Sequence, residues 1–308
     1  MRREKGRYIH IQDSLQLVER LATPTLPRVS VRITGEALKG PIGEMGITEF
    51  LSSVERNPDG IRATIPEDWL QGRTSYGGLS ASLCLEAARL GLAQERPLRS
   101  ALIAFVGPAS GTVTVTTEAL RAGKTAASVK ARLSSDAGLG TEAIFTFASG
   151  RESALDKPPA GLPDGVVPPE KGAQGLPFPP GAPDFARHFE LYLANGALPF
   201  SGDQGEAPLR FWTRFRDPGS REGLTALLGL ADALPPAITT GMSDYAPLSS
   251  MTWMVDVLDD DVSTQEGWYL LQSEADHARG GYSSQAMTVW SSDGRMLMLG
   301  RQMVTVFA

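Results

Sequence analysis

The sequence predicts an α+β protein built from two related halves, each an antiparallel sheet with one long helix. Three observations predict it. Each half reads as a strand, a helix and then a run of strands, which is not the alternating order of a βαβ fold. A proline-rich stretch separates the halves. Short segments also recur between them, in the same order and at nearly constant spacing.

Residues 1–45 carry Pro24, Pro27 and Pro41 and no sustained periodicity beyond a short helix candidate at 15–21, so they are read as an extension. The first half follows, over residues 46–150. Its strand candidate Gly60-Ile61-Arg62-Ala63-Thr64-Ile65 leads through Trp69 to Thr74-Ser75-Tyr76-Gly77-Gly78. A helix begins there, because Leu79, Leu83, Ala87 and Leu90 fall on one face at helical spacing. After Pro97, β-rich stretches occupy 100–106, 112–120, 126–133 and 142–148. Thr112-Val113-Thr114-Val115-Thr116 alternates with period two, as a half-buried strand must.

Residues 151–185 read as a linker. Between Pro158 and Pro183 lie nine of the chain's 22 prolines. Proline removes the main-chain donor and blocks helix interiors, so an extended crossing segment is expected. The second half, 186–308, repeats the first pattern. A strand at 209–215 precedes a helix over about 221–234, and strands follow at 249–258, 268–275, 283–291 and 297–307.

The repeat can be written out. Pro97-Leu98-Arg99-Ser100 matches Pro247-Leu248-Ser249-Ser250, and Ser134-Ser135-Asp136 matches Ser291-Ser292-Asp293. Gly123 corresponds to Gly280, and Ile144-Phe145-Thr146-Phe147 to Met303-Val304-Thr305-Val306. A slow drift in spacing is what longer loops in the second half produce.

Composition narrows the function. The chain has 308 residues, 42% of them hydrophobic, and a net charge of −6. That length suits two cores, and the charge provides no basic field for nucleic acid. No apolar run approaches the ~18 residues of a membrane span. No signal peptide is read at the N-terminus, and a cytoplasmic location is expected. One cysteine, Cys84, excludes an internal disulfide and a cysteine-based zinc cluster, and is read as a core residue. The only histidines are His10, His188 and His277, in unrelated settings, which argues against a Ser-His-Asp triad or a histidine metal site. Gly123-Lys124-Thr125 is read as a hairpin turn, not a phosphate loop. Asp259-Asp260-Asp261 is read as a solvated hairpin tip, since it lacks the glycine and terminal glutamate of a calcium loop.

Four segments carry a family resemblance: Trp69 with Gly77-Gly78; Arg121-Ala122-Gly123-Lys124-Thr125; Leu228-Gly229-Leu230-Ala231-Asp232-Ala233-Leu234-Pro235-Pro236; and Ser292-Asp293-Gly294-Arg295 through Arg301-Gln302-Met303-Val304-Thr305-Val306-Phe307. With them the sequence resembles the acyl-CoA thioesterase II-like, double-hotdog family. The resemblance implies a tandem double hotdog: two antiparallel sheets, each wrapped around a long central helix and joined edge to edge. It implies hydrolysis of acyl-CoA to free acid and CoA, in lipid metabolism, by a water held between Asp, Thr or Ser, and Gln. Carried onto this chain, the Asp is Asp232 and the Gln is Gln302. The hydroxyl aligns with residues 248–250, so Ser249 and Ser250 both qualify. No cofactor or metal is implied, CoA being part of the substrate, and further self-association of the fused pair is a family-level expectation.

The residues themselves allow two readings at each position. Asp232 follows Leu228 by four, on or beside the apolar face at a helix C-terminus, where burial and the helix dipole both raise a carboxylate's basicity. It also suits a plain helix terminus before Pro235-Pro236. Gln302, in an apolar strand, is a water-positioning amide or a structural one satisfied by backbone. Ser249 and Ser250 alternate faces, so only one can point at Asp232. Gly77 and Gly78 permit close approach of a thioester or pantetheine, or else supply a positive-φ turn. Two other functions remain: a non-catalytic acyl-CoA-binding protein, kept open by the missing threonine, and a hydratase or dehydratase using a His–Asp pair.

Overall fold

The computed structural model describes residues 45–57, 60–176, 181–203 and 207–307. The predicted extension, save its last residue, and the helix candidate at 15–21 lie outside them. The chain opens with α1 (Ile47–Ser53), β1 (Glu55–Asn57) and β2 (Gly60–Thr64). A small hairpin, β3 (Leu70–Gln71) and β4 (Thr74–Ser75), leads into α2 (Gly77–Leu90). Four strands complete the first half: β5 (Leu98–Phe105), β6 (Thr112–Ala122), β7 (Ala126–Ser135) and β8 (Gly138–Ala148). The second half has β9 (Phe189–Leu193), β10 (Leu209–Phe215), α3 (Leu224–Ala231), β11 (Leu248–Val257), β12 (Tyr269–Arg279), β13 (Tyr282–Ser291) and β14 (Met296–Val306).

The two antiparallel sheets join edge to edge, so that twelve strands form one continuous sheet in the order β1-β2-β6-β7-β8-β5-β11-β14-β13-β12-β10-β9. The order reads the same from either edge once each first-half strand is replaced by its counterpart in the second. The seam is an antiparallel pairing of β5 with β11, in which Ile103 faces Trp253 and Ser100 faces Asp256. Joining there removes two strand edges that would otherwise be open to association. The matched segments occupy matched places: Leu98 and Leu248 begin β5 and β11, and Gly123 and Gly280 lie in the β6–β7 and β12–β13 hairpins.

The expectation of a long central helix in each half is corrected, because the two helices are unequal. α2 is 14 residues long and buried on nearly every side, with β2, β6, β7 and β8 on one flank and α3 on another. Leu79, Leu83 and Ala87 are in the core as predicted, but Leu90 at the end of the helix is 48% exposed. α3 is only 8 residues long, not the span 221–234. Gly223, at φ 85°, starts it, and Pro235-Pro236 beyond it supply no main-chain donors and push Leu234 out of helical geometry. α3 therefore packs chiefly against α2, with Ser82 Oγ donating to the Thr225 carbonyl at 2.9 Å.

Among the described residues of 151–183 none is helical or in a strand. This segment crosses the outer face of the second-half strands, where Val166 and Leu162 pack on Trp212, Trp268, Leu270 and Trp290. Trp290 Nε1 donates to the Ala160 carbonyl at 3.2 Å, fixing the strap. The acidic run is not merely a solvated tip: Asp259 and Asp261 both pair with Arg295, and Asp260 pairs with Arg99 of the first half. Cys84 is buried in α2, and burial pushes its thiol up to about 12. Among the described residues no helix is long and apolar enough to cross a membrane.

Candidate active site

The two halves meet where α2 begins and α3 ends. Asp232 is the residue that closes α3, with φ −93° and ψ 7°, and its carboxyl points into the interior. Gln302, buried on β14, donates from Nε2 to Asp232 Oδ1 at 2.9 Å. The main-chain N–H of Gly78, in the first turn of α2, donates to the same carboxylate. A charge removed from water is costly unless it is hydrogen-bonded. Burial accordingly pushes Asp232 up to about 7, while the bonds from Gln302 and Gly78 hold it from rising further. A carboxyl poised near neutrality can take a proton and give it back at physiological pH.

The glycines at the start of α2 have a specific cause, and it is not a positive φ, which neither residue has. A Cβ on Gly77 would lie 2.6 Å from Asp232 Oδ2 and 3.2 Å from the Phe105 ring. A Cβ on Gly78 would lie 2.3 Å from the Gly229 carbonyl oxygen. At Gly78 the close main chain of the second half demands glycine, whereas at Gly77 a methyl would have to displace the Asp232 carboxylate. Tyr76, just before them, donates its hydroxyl to the same Gly229 carbonyl at 2.7 Å. Burial first, and then the neighbouring Asp232, hold this phenol well above its ordinary value, so it stays neutral.

Strand register separates the two serines. In β11, Ser250 stands opposite Val304 and Ser249 opposite Thr305. Directly opposed residues share a face, and Val304 and Gln302, two apart on β14, share the buried one. Ser250 is therefore on the side of Gln302, and exposed Ser249 is on the other. A bulge between Ser250 and Thr252 then returns Trp253 to the inner face, opposite Gln302. Among the described residues, neither serine hydrogen-bonds to Asp232 or Gln302. The structure thus brings together Asp232, Gln302, Gly77 and Gly78, and places Ser250 on their face without a hydrogen bond to Asp232 or Gln302.

One neighbour escaped the sequence reading. Gln285 on β13, buried, donates from Nε2 to Gln302 Oε1 at 2.7 Å. Alternation along β13 marks it as inward-facing, the one signal that could have found it. His188, buried and stacked on Trp69 at 3.8 Å, has Nε2 3.1 Å from Asp68 Oδ2. Burial lowers its pKa despite that carboxylate. This His–Asp pair belongs to the packing around Trp69, and none of its recorded partners is Asp232. Beside Ala231 lies a small gap, with room for little more than a water, lined by Trp253, Leu271, Met287 and Met298 among others. Among the described residues no cluster of ligating side chains could hold a metal.

Family models match both halves in order. That for the acyl-CoA thioesterase N-terminal domain matches residues 65–148, and that for the acyl-CoA thioesterase C-terminal domain matches 162–306. Among solved structures, a conserved protein of unknown function with a hot dog fold from Alicyclobacillus acidocaldarius superposes with a TM-score of 0.73 at 20% identity, over 84% of this chain and 97% of that one. A putative thioesterase II from Thermobifida fusca YX gives 0.68 at 17% identity, over 87% and 100%. The tesB protein of Mycobacterium avium subs paratuberculosis gives 0.65 at 16%, over 85% and 98%. At these identities the likeness establishes a shared hot dog fold. Comparison with curated proteins gave no match.

Proposed function

The chain belongs to the acyl-CoA thioesterase family and is a thioester hydrolase, and from that premise we propose that it splits acyl-CoA by direct attack of a water held at Asp232. The observation that carries this reading is the buried carboxyl near pKa 7, gripped by Gln302 and by the first turn of α2.

A thioester carbonyl is already electrophilic, so no covalent intermediate is needed. Asp232 takes a proton from the water as its oxygen bonds to the carbonyl carbon. The N-terminal turn of α2 supplies a positive field against which the developing oxyanion is stabilised. The carbon–sulfur bond then breaks, releasing the free acid, and the proton on Asp232 passes to the CoA sulfur. A thiolate is a good leaving group, since a thiol's pKa is only about 8.5. Gln302 fixes the water's orientation, and Ser250 is the hydroxyl on the correct face to complete the set. CoA enters only as part of the substrate.

The test is Asp232→Ala assayed for thiol release from acyl-CoAs of increasing chain length, with circular dichroism as a check on folding. A fall of roughly 10²–10⁴-fold in kcat is expected. Undiminished turnover in the folded variant would remove Asp232 from the chemistry.

A further inference from the structure

A primary amide can present either end to a neighbour, and its two ends do opposite things to a carboxylate. An N–H donated to Asp232 favours the ionised base, whereas a carbonyl facing it favours the protonated acid. Something must therefore choose which end of Gln302 faces Asp232.

The chain of bonds that makes this choice begins at a group whose sense is fixed. The main-chain N–H of Ala237, just after Pro235-Pro236, can only donate, and it donates to Gln285 Oε1 at 2.6 Å. Gln285 is thereby left with its NH2 toward β14, where Nε2 donates to Gln302 Oε1 at 2.7 Å. With its oxygen taken, Gln302 has only N–H to offer, and it donates to Asp232 Oδ1 at 2.9 Å. Gln285 and Gln302 are directly opposed in the β13–β14 ladder, so their side chains meet on the same buried face. Both amides are at most 4% exposed, and water does not compete for the two bonds that Gln285 makes.

We infer that Gln285 is a positioning residue for the reaction: it transmits the polarity of the Ala237 N–H to Gln302 and so holds Asp232 in its basic form. This rests on Asp232 being the base. Gln285 then acts only through Gln302 and does not reach the substrate. Asp232's titratable neighbour is Tyr76, which stays neutral, so a change in the Asp232 titration reads the amide relay.

The experiment compares wild type, Gln285→Met, Gln302→Met and the double variant. It reads the kcat–pH profile and, independently of turnover, the 13C NMR titration of the Asp232 carboxyl, assigned by its loss in Asp232→Asn. Gln285→Met should lower kcat about tenfold and move both the acid limb and the carboxyl titration to higher pH. In the Gln302→Met background it should add nothing, because the relay is already cut. An unchanged titration in Gln285→Met, or an effect that persists without Gln302, overturns the inference. If Gln285→Met does not fold, the isosteric Gln285→Glu replaces it. Its carboxylate can only accept, which turns the Gln302 amide round, and the part of its upward shift that vanishes in the Gln302→Met background measures that turn. No such part would overturn the relay equally. Should Asp232→Ala stay active, the hydrolytic assignment of Asp232 fails, while the titration still decides whether Gln285 sets the amide.

Discussion

Gly78 and Gly229 bring the main chains of the two halves into direct contact: a Cβ on Gly78 would stand 2.3 Å from the Gly229 carbonyl oxygen. That carbonyl also accepts the Tyr76 hydroxyl, and a Cβ on Gly229 would strike Ile47 at 2.5 Å. Neither backbone can yield without moving a helix. Gly78→Ala is therefore expected to destabilise the fold by about 3 kcal/mol, at the upper end of overpacking costs, as read by urea denaturation.

Gly77→Ala should behave differently. The added methyl meets a carboxylate oxygen of Asp232 and the edge of Phe105. It displaces the base more than it strains the helix. A loss of turnover well beyond the loss of stability is expected, measured by kcat beside the denaturation midpoint; equal losses would assign Gly77 to packing alone.

Activity should rise with pH through about 7, as Asp232 gives up its proton. Because the Gln302 bond lowers that pKa, Gln302→Leu should move the limb to higher pH and leave less base at neutrality. A kcat–pH profile of the two proteins decides it, and a limb that stays in place would detach Gln302 from Asp232.

Stability should run the other way. Asp232 has an ordinary value of 3.8 and is raised to about 7 by folding, so between these pH values the folded protein keeps a proton that the unfolded chain has lost. Its contribution is fully present below about pH 4 and is lost as pH rises through 7, a change of order 4 kcal/mol. Subtracting the Tm–pH curve of Asp232→Asn from that of the wild type should isolate this decline. A flat difference would mean the folded-state value is not raised.

Ser250→Ala is expected to lower kcat tenfold or more, whereas Ser249→Ala should leave it unchanged, because only Ser250 shares the inner face with Val304 and Gln302. Steady-state kinetics on the two variants checks the register directly.

Much of this protein is written locally. The strand at 209–215 matches β10 residue for residue, because a β-rich run between turn residues depends on little else. Asp232 could be picked out only through the family resemblance, because locally an aspartate before Pro235-Pro236 also suits a plain helix terminus. The length of α3 was less legible, since Gly223 and Pro235-Pro236 cut short a periodicity that continues on either side. α1 and β9 went unseen, being short segments that owe their form to neighbours distant in sequence.

The sequence by itself determined the main run of strands and helices and the repeat, which follow from side-chain periodicity and from proline and glycine chemistry acting over a few residues. Asp232 and Gln302 became candidates through the family resemblance of the segments that hold them. Only the tertiary structure decided that the seam pairs β5 with β11, that Gly77 and Gly78 admit the second half, that Ser250 faces inward, and that Gln285 stands behind Gln302. Each of those facts depends on which atoms from distant parts of the chain come within 3 Å, and hydrogen-bond polarity and steric exclusion carry information only at that range.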